Sequence, residues 1–124
     1  MKIPSTIKIG GKVFTVTYPH LFIEREGRSG QSTNWTQRIL IANQVNGEPM
    51  AREHIEETFI HELIHMVDAV YNGGKLDEET VSRMSEGLYQ VLNDAGMLAD
   101  DPPLLTLQQP FPPGMTLVEP EETL

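Results

Sequence analysis

The chain has 124 residues, 39% of them hydrophobic, with nine Lys and Arg against eighteen Asp and Glu for a net charge of −9. That is enough for one domain with a modest core and too little for two, and no apolar run is long enough to span a membrane. The acidic balance and singly scattered basic residues argue against nucleic acid or anionic membrane as a partner, and the chain has no cysteine to form disulfides.

Residues 5–18 read as a hairpin. Ile7 and Ile9 alternate with polar neighbours, Gly10-Gly11 supplies the turn, and Val13 to Tyr18 is rich in β-formers until Pro19 stops the strand. Residues 24–36 are polar, glycine-bearing and without a period, so they read as a loop holding a short edge strand near 29–33. Arg38-Ile39-Leu40-Ile41-Ala42 is a further strand, and Asn43 to Pro49 a loop turning at Asn46-Gly47.

From about Ala51 the period becomes helical. Ile55, Phe59, Leu63, Val67 and Val70 form one stripe, widened by Ile60, Ile64 and Tyr71, and Asn72-Gly73-Gly74 ends the helix. Asp77 reads as the N-cap of a second helix running to about Asn93, with Val81, Met84, Leu88, Val91 and Leu92 as its stripe. Six prolines break up the chain after Asp100. The expected fold is α+β: a small antiparallel sheet followed by two helices in residues 1–100, with a Pro-rich tail over 101–124 that is separable from it.

The chemistry lies in the first helix, where His61-Glu62-Leu63-Ile64-His65 has the H-E-x-x-H spacing. Residues four apart lie one above the other on a helix, so both imidazoles leave the same face and can converge on one zinc ion. Glu62 is rotated roughly 100° from His61 and shares that position poorly. It is placed instead to take a proton from water that zinc has acidified to a pKa near 7. The apolar neighbours Phe59, Ile60, Leu63 and Ile64 bury the surroundings, which a pair of chance surface histidines would not need.

A third ligand has to come from elsewhere, and without cysteine it must be His or a carboxylate. His54 lies two turns before His61, too far along the axis. Asp68 is on the correct face and reads as an outer acceptor for an imidazole N–H. On the second helix Glu78 shares the phase of Val81, whereas Glu79 and Glu86 do not. Simple antiparallel packing, however, would set Glu86 level with the histidines, and an acidic residue in a first helical turn also has the plain role of complementing the helix dipole. Glu78, Glu79, Glu86 and His20 all stay open on this reading.

The segment from Thr58 to Asp68, followed by Leu76 to Asp94, resembles small zincin-like metallopeptidases of the kind common in bacteriophage genomes, distantly related to the ImmA/IrrE metallopeptidases. Ile7 to Lys12 and the Arg38–Ile41 strand share the likeness, which covers about residues 5–95. The resemblance implies a gluzincin-type site, with the two histidines joined by a glutamate of the next helix, and that glutamate maps onto Glu78. It also implies a peptide held extended along Arg38–Ile41 or its partner strand, above the metal helix. Trp35 either lines such a cleft or packs in the core, the more frequent role for a lone tryptophan. Tyr18 and Tyr71 read as half-buried core residues, with oxyanion donation as the alternative.

The function expected from all this is zinc-dependent hydrolysis of peptide bonds in a protein or peptide substrate, in the cytoplasm, with Glu62 as general base. The alternative is a non-catalytic binding module stapled by zinc, which small domains use for stability. A structural site gains nothing from Glu62, however, and usually has four protein ligands. Deamination is disfavoured, because the P-C-x-x-C partner of zinc deaminases is missing.

Overall fold

The computed structural model describes residues 1–99, so the Pro-rich tail lies outside the described residues. Strands β1 (Thr6–Ile9) and β2 (Lys12–Thr17) form the expected hairpin. Ile9 pairs with Lys12 across Gly10-Gly11, and the φ values of +61° and +82° there belong to a type I′ turn that side chains other than Gly and Asn resist. Phe14 and Val16 point into the core, while their neighbours Val13, Thr15 and Thr17 are exposed.

A short helix α1 (Phe22–Glu26) follows, overlapping what the sequence reads as loop. Five residues are too few to display a 3.6-residue period, and only Phe22 among them is buried. Strand β3 (Gly30–Thr33) is the expected edge strand, and β4 (Arg38–Ile41) the expected strand after it. Asn46-Gly47 turns a two-residue ribbon of β5 (Gln44–Val45) and β6 (Glu48–Pro49). Helices α2 (Arg52–Tyr71) and α3 (Glu78–Asp94) complete the α+β fold.

The main sheet has the order β1-β2-β4-β3 and is mixed rather than antiparallel throughout. Its two outer pairs are antiparallel, but the central β2–β4 pair is parallel, with Val16 opposite Ile39. The chain crosses over through α1 and β3 before β4 slots in beside β2. Inward–outward alternation is the same for either strand direction, so the pattern of β4 carries no sign of this.

Helix α2 packs across the sheet, and α3 packs on α2 rather than on the strands. Phe14, Ile39 and Ile41 are fully buried and join Ile9, Val16, Phe59, Ile60 and Met66 in one core. Because α2 is covered on two sides, it also buries Glu56, Thr58, Glu62 and Asp68. Each of these has a partner, as buried polar groups require: Tyr89 and Arg52 for Glu56, the His54 carbonyl for Thr58, Ser32 for Glu62, and the following loop for Asp68.

Helix α3 is rotated from its expected orientation. Val81 and Ser85 are buried and Tyr89 and Leu92 half-buried, whereas Met84, Leu88 and Val91 of the predicted stripe are exposed. The turn from Asn34 to Gln37 carries Trp35 off the end of the sheet, leaving it 95% exposed instead of in the core. Tyr18 and Tyr71 are exposed too, and the Tyr71 hydroxyl accepts from the Gly10 N–H at 2.9 Å. No helix among the described residues is long and apolar enough to cross a membrane.

Candidate metal centre

His61 and His65 lie one turn apart on α2, on the side where α3 begins. Their Nε2 atoms are 3.2 Å apart. Glu78, the first residue of α3, closes the triangle: Oε1 is 2.8 Å from His65 Nε2 and Oε2 is 3.0 Å from His61 Nε2. Among the described residues this is the group of His and carboxylate side chains able to hold a metal ion, with its ligand atoms within 4.8 Å of one another. Tetrahedral coordination with bonds of about 2.0–2.1 Å sets ligand atoms about 3.3 Å apart. The three side chains therefore fit one ion with shifts of a few tenths of an ångström. The Glu78 side chain is 68% exposed against 19% and 26% for the histidines, so the centre is open to solvent on that side.

Of the ligands left open by the sequence, Glu78 is the one brought to the histidines. Glu79 instead pairs with Arg83 at 2.8 Å, and His20, His54 and Glu86 are outside the group. His54 Nε2 meets Ser29 Oγ at 3.0 Å.

The loop between the helices explains why Glu86 is not level with the histidines. Asp68 is buried and accepts from Asn72 Nδ2 at 2.8 Å and from the backbone N–H groups of Lys75 and Leu76 at 3.1 and 3.2 Å. It thus folds the loop back along α2, so α3 starts beside His65 rather than beyond the end of α2. The sequence reading of Asp68 as an imidazole acceptor is corrected: its carboxylate is taken up by the loop. The N-cap of α3 is as expected, with Asp77 accepting from Thr80 N–H at 2.8 Å.

The outer contact to an imidazole comes from Ser85, which the sequence did not single out. Its Oγ, fully buried, lies 3.4 Å from His61 Nδ1 and donates to the Ser82 carbonyl at 3.0 Å. With its proton already committed, Ser85 is left to accept from His61 Nδ1–H. That tautomer leaves the Nε2 lone pair free for a metal. A serine in mid-helix has no periodic signal, although its place four residues after Val81 was a clue.

Glu62 is not among the three converging side chains. It turns toward β3, is 6% exposed, and accepts from Ser32 Oγ–H at 2.7 Å through Oε1. A cleft of about 640 Å³ brings the groups together, lined on one wall by residues of β3 and on the others by His61, Glu62, His65, Asp68, Leu76 and Glu78. Tyr18, Trp35 and Tyr71 do not line it. A cleft of similar size, about 680 Å³, lies beside Met1, Tyr18 and Arg52 and contains none of the three ligands, so volume alone does not locate the site.

Comparison with known proteins adds no relative to this picture: no family model, no curated protein and no solved structure matches the chain.

Proposed function

We propose that the protein is a zinc-dependent metallopeptidase in which His61, His65 and Glu78 hold the metal and Glu62 is the general base. The observation that carries this reading is the buried Glu62 carboxylate, set in the same cleft as the triad but outside its coordination. A purely structural centre has no use for it. Zinc suits a set of two imidazoles and one carboxylate, since catalytic zinc sites keep three protein ligands and an open position. When bound, the ion supplies Lewis-acid polarisation of a carbonyl and acidifies water to near neutral pH.

The protein's own residues would do the rest. β3 is an edge strand along the cleft, suited to pairing with an extended peptide by strand addition. Glu62 takes a proton from the attacking water and returns it to the leaving amine. Ser85 keeps His61 in the tautomer that presents Nε2. The substrate in this reading is a protein or peptide, and the cysteine-free chain suits a reducing, cytoplasmic setting.

The test is Glu62→Gln, which keeps size and hydrogen-bonding reach but cannot accept a proton at neutral pH. The expected outcome is one zinc per chain in both proteins by elemental analysis, equal thermal stability, and peptide hydrolysis lower by on the order of 10²–10⁴-fold in the variant. Equal cleavage by both at equal zinc occupancy would sink the mechanism. Failure to retain zinc at micromolar concentrations would remove the reading altogether.

A further inference from the structure

Strand β3 does more than border the cleft. Ser29 C=O accepts from Ala42 N–H at 2.8 Å, and β3 pairs with β4 in the register Gly30 to Ile41 and Ser32 to Ile39. Hydrogen-bonded pairs alternate along an antiparallel ladder, so Gly30 and Ser32 turn their backbone N–H and C=O away from β4. Among the described residues β3 ends the order β1-β2-β4-β3, so those groups line the edge that no strand of the sheet pairs with. The Ser32 side chain meanwhile points to α2 and donates to Glu62 Oε1 at 2.7 Å.

Gly30 lies on the same side. A Cβ there would come within 2.6 Å of Thr58 Cγ2 and 3.0 Å of Glu62 Oε2, closer than real Cβ atoms pack without displacing a neighbour. The strand therefore holds one oxygen of the carboxylate through Ser32 and brings the bare backbone of Gly30 close to the other.

We infer that Ser32 is a positioning residue for Glu62: its hydroxyl fixes Oε1, Gly30 lets the strand come close enough for that bond, and Oε2, which Ser32 does not hold, is the atom that accepts the proton. The terminal torsion of a glutamate is broad, so without that hydrogen bond the carboxylate is free to turn. Misplacing a reacting group by about 1 Å can cost on the order of 10²-fold in rate. Ser32 also offers its backbone to the free edge, so the residue that pairs with an extended substrate is the one that holds the base. This inference rests on the metallopeptidase reading for its catalytic part and on geometry alone for the placement of Glu62.

The test compares full-length wild type, Ser32→Ala, Ser32→Thr and Glu62→Gln. Zinc-loaded proteins are assayed on a peptide library, and cobalt-loaded ones by visible absorption. Ser32→Ala is expected to lower kcat about 10–100-fold with little change in KM, a smaller loss than that of Glu62→Gln. Its cobalt spectrum should move toward that of Glu62→Gln, because in both the cleft shared with the three ligands no longer holds a carboxylate in a fixed position. Ser32→Thr, which keeps the hydroxyl, should restore both, and metal affinity should stay within about twofold throughout, since Ser32 touches no ligand. Wild-type kcat and an unmoved cobalt spectrum in Ser32→Ala would overturn the inference. So would losses that track the folded fraction and resist the Thr rescue. If wild type cleaves no peptide while the cobalt spectrum responds as stated, the placement of Glu62 stands and the peptidase reading falls. Should Ser32→Ala fail to fold, Ser32→Cys keeps the size, weakens the donor and carries the same comparison.

Discussion

Glu78 is the residue on which the proposed metal centre turns, because it alone of the three converging side chains comes from a second element. His61 and His65 keep their separation for as long as α2 stays helical, but without Glu78 they offer only two ligands. Glu78→Ala is therefore expected to weaken zinc binding by a factor of about ten or more in titration against a chelator of known affinity. Glu86→Ala, altering an exposed side chain outside the group, should leave affinity within about twofold. Unchanged affinity in Glu78→Ala would hand the third position to another group. Glu79 is a poor substitute, because Arg83 already holds its carboxylate at 2.8 Å.

Among the elements, the α2–α3 connection does the positioning. Asp68 anchors the loop through three donors within 3.2 Å, and Gly73 and Gly74, with φ near +70° and +68°, let the chain reverse. Asp68→Asn keeps the shape but replaces an acceptor oxygen with an amide donor facing backbone N–H groups. We expect it to destabilise the fold by about 1–3 kcal/mol, the usual cost of leaving buried groups unpaired. We also expect it to weaken zinc binding without touching a ligand, because the start of α3 is released. A thermal melt with and without zinc separates the two effects. A loss of stability with full zinc affinity would show that the loop does not govern Glu78. Helical phase made Glu78 a candidate and helix spacing made Glu86 another; the loop anchor, formed by residues four to eight positions apart, decided between them.

At the scale of the whole molecule, Glu56 ties the layers together. Its carboxylate receives the Tyr89 hydroxyl from α3 at 2.8 Å, Arg52 Nε at 2.7 Å and the amino terminus at 3.0 Å. Burial pushes the Glu56 carboxyl up, but Arg52, the amino terminus and Tyr89 together hold it below its ordinary value. Burial, then the bond to Glu56, pushes the Tyr89 phenol up to about 12 from 10.0. The signs follow by linkage. A lowered carboxylate contributes stability above its ordinary value of 4.5, lost as pH falls through the folded value. A raised phenol contributes stability below pH 10 that is lost as pH rises toward 12. Tyr89→Phe should thus cost about 1–2 kcal/mol at neutral pH. The gap from wild type should narrow both below pH 4.5 and between pH 10 and 12. Denaturant melts across that range test it, and a gap independent of pH would show that the hydroxyl contributes packing alone.

What the sequence determined by itself is what short-range geometry dictates. Helix periodicity fixes His61 and His65 on one face and Glu62 off it, Gly10-Gly11 fixes the hairpin turn, and Asp77 caps α3, each through contacts within a few residues. The tertiary structure decided whatever depends on how elements meet. It made the β2–β4 pair parallel, rotated α3 onto Val81 and Ser85, put Trp35 in solvent, and set Ser32 against Glu62 and Ser85 against His61. A hydroxyl has no periodicity to betray its partner, and a strand shows the same alternation in either direction. The proposed third ligand stood between these cases: its chemistry was legible, but its position waited on the path of a six-residue loop folded back by Asp68.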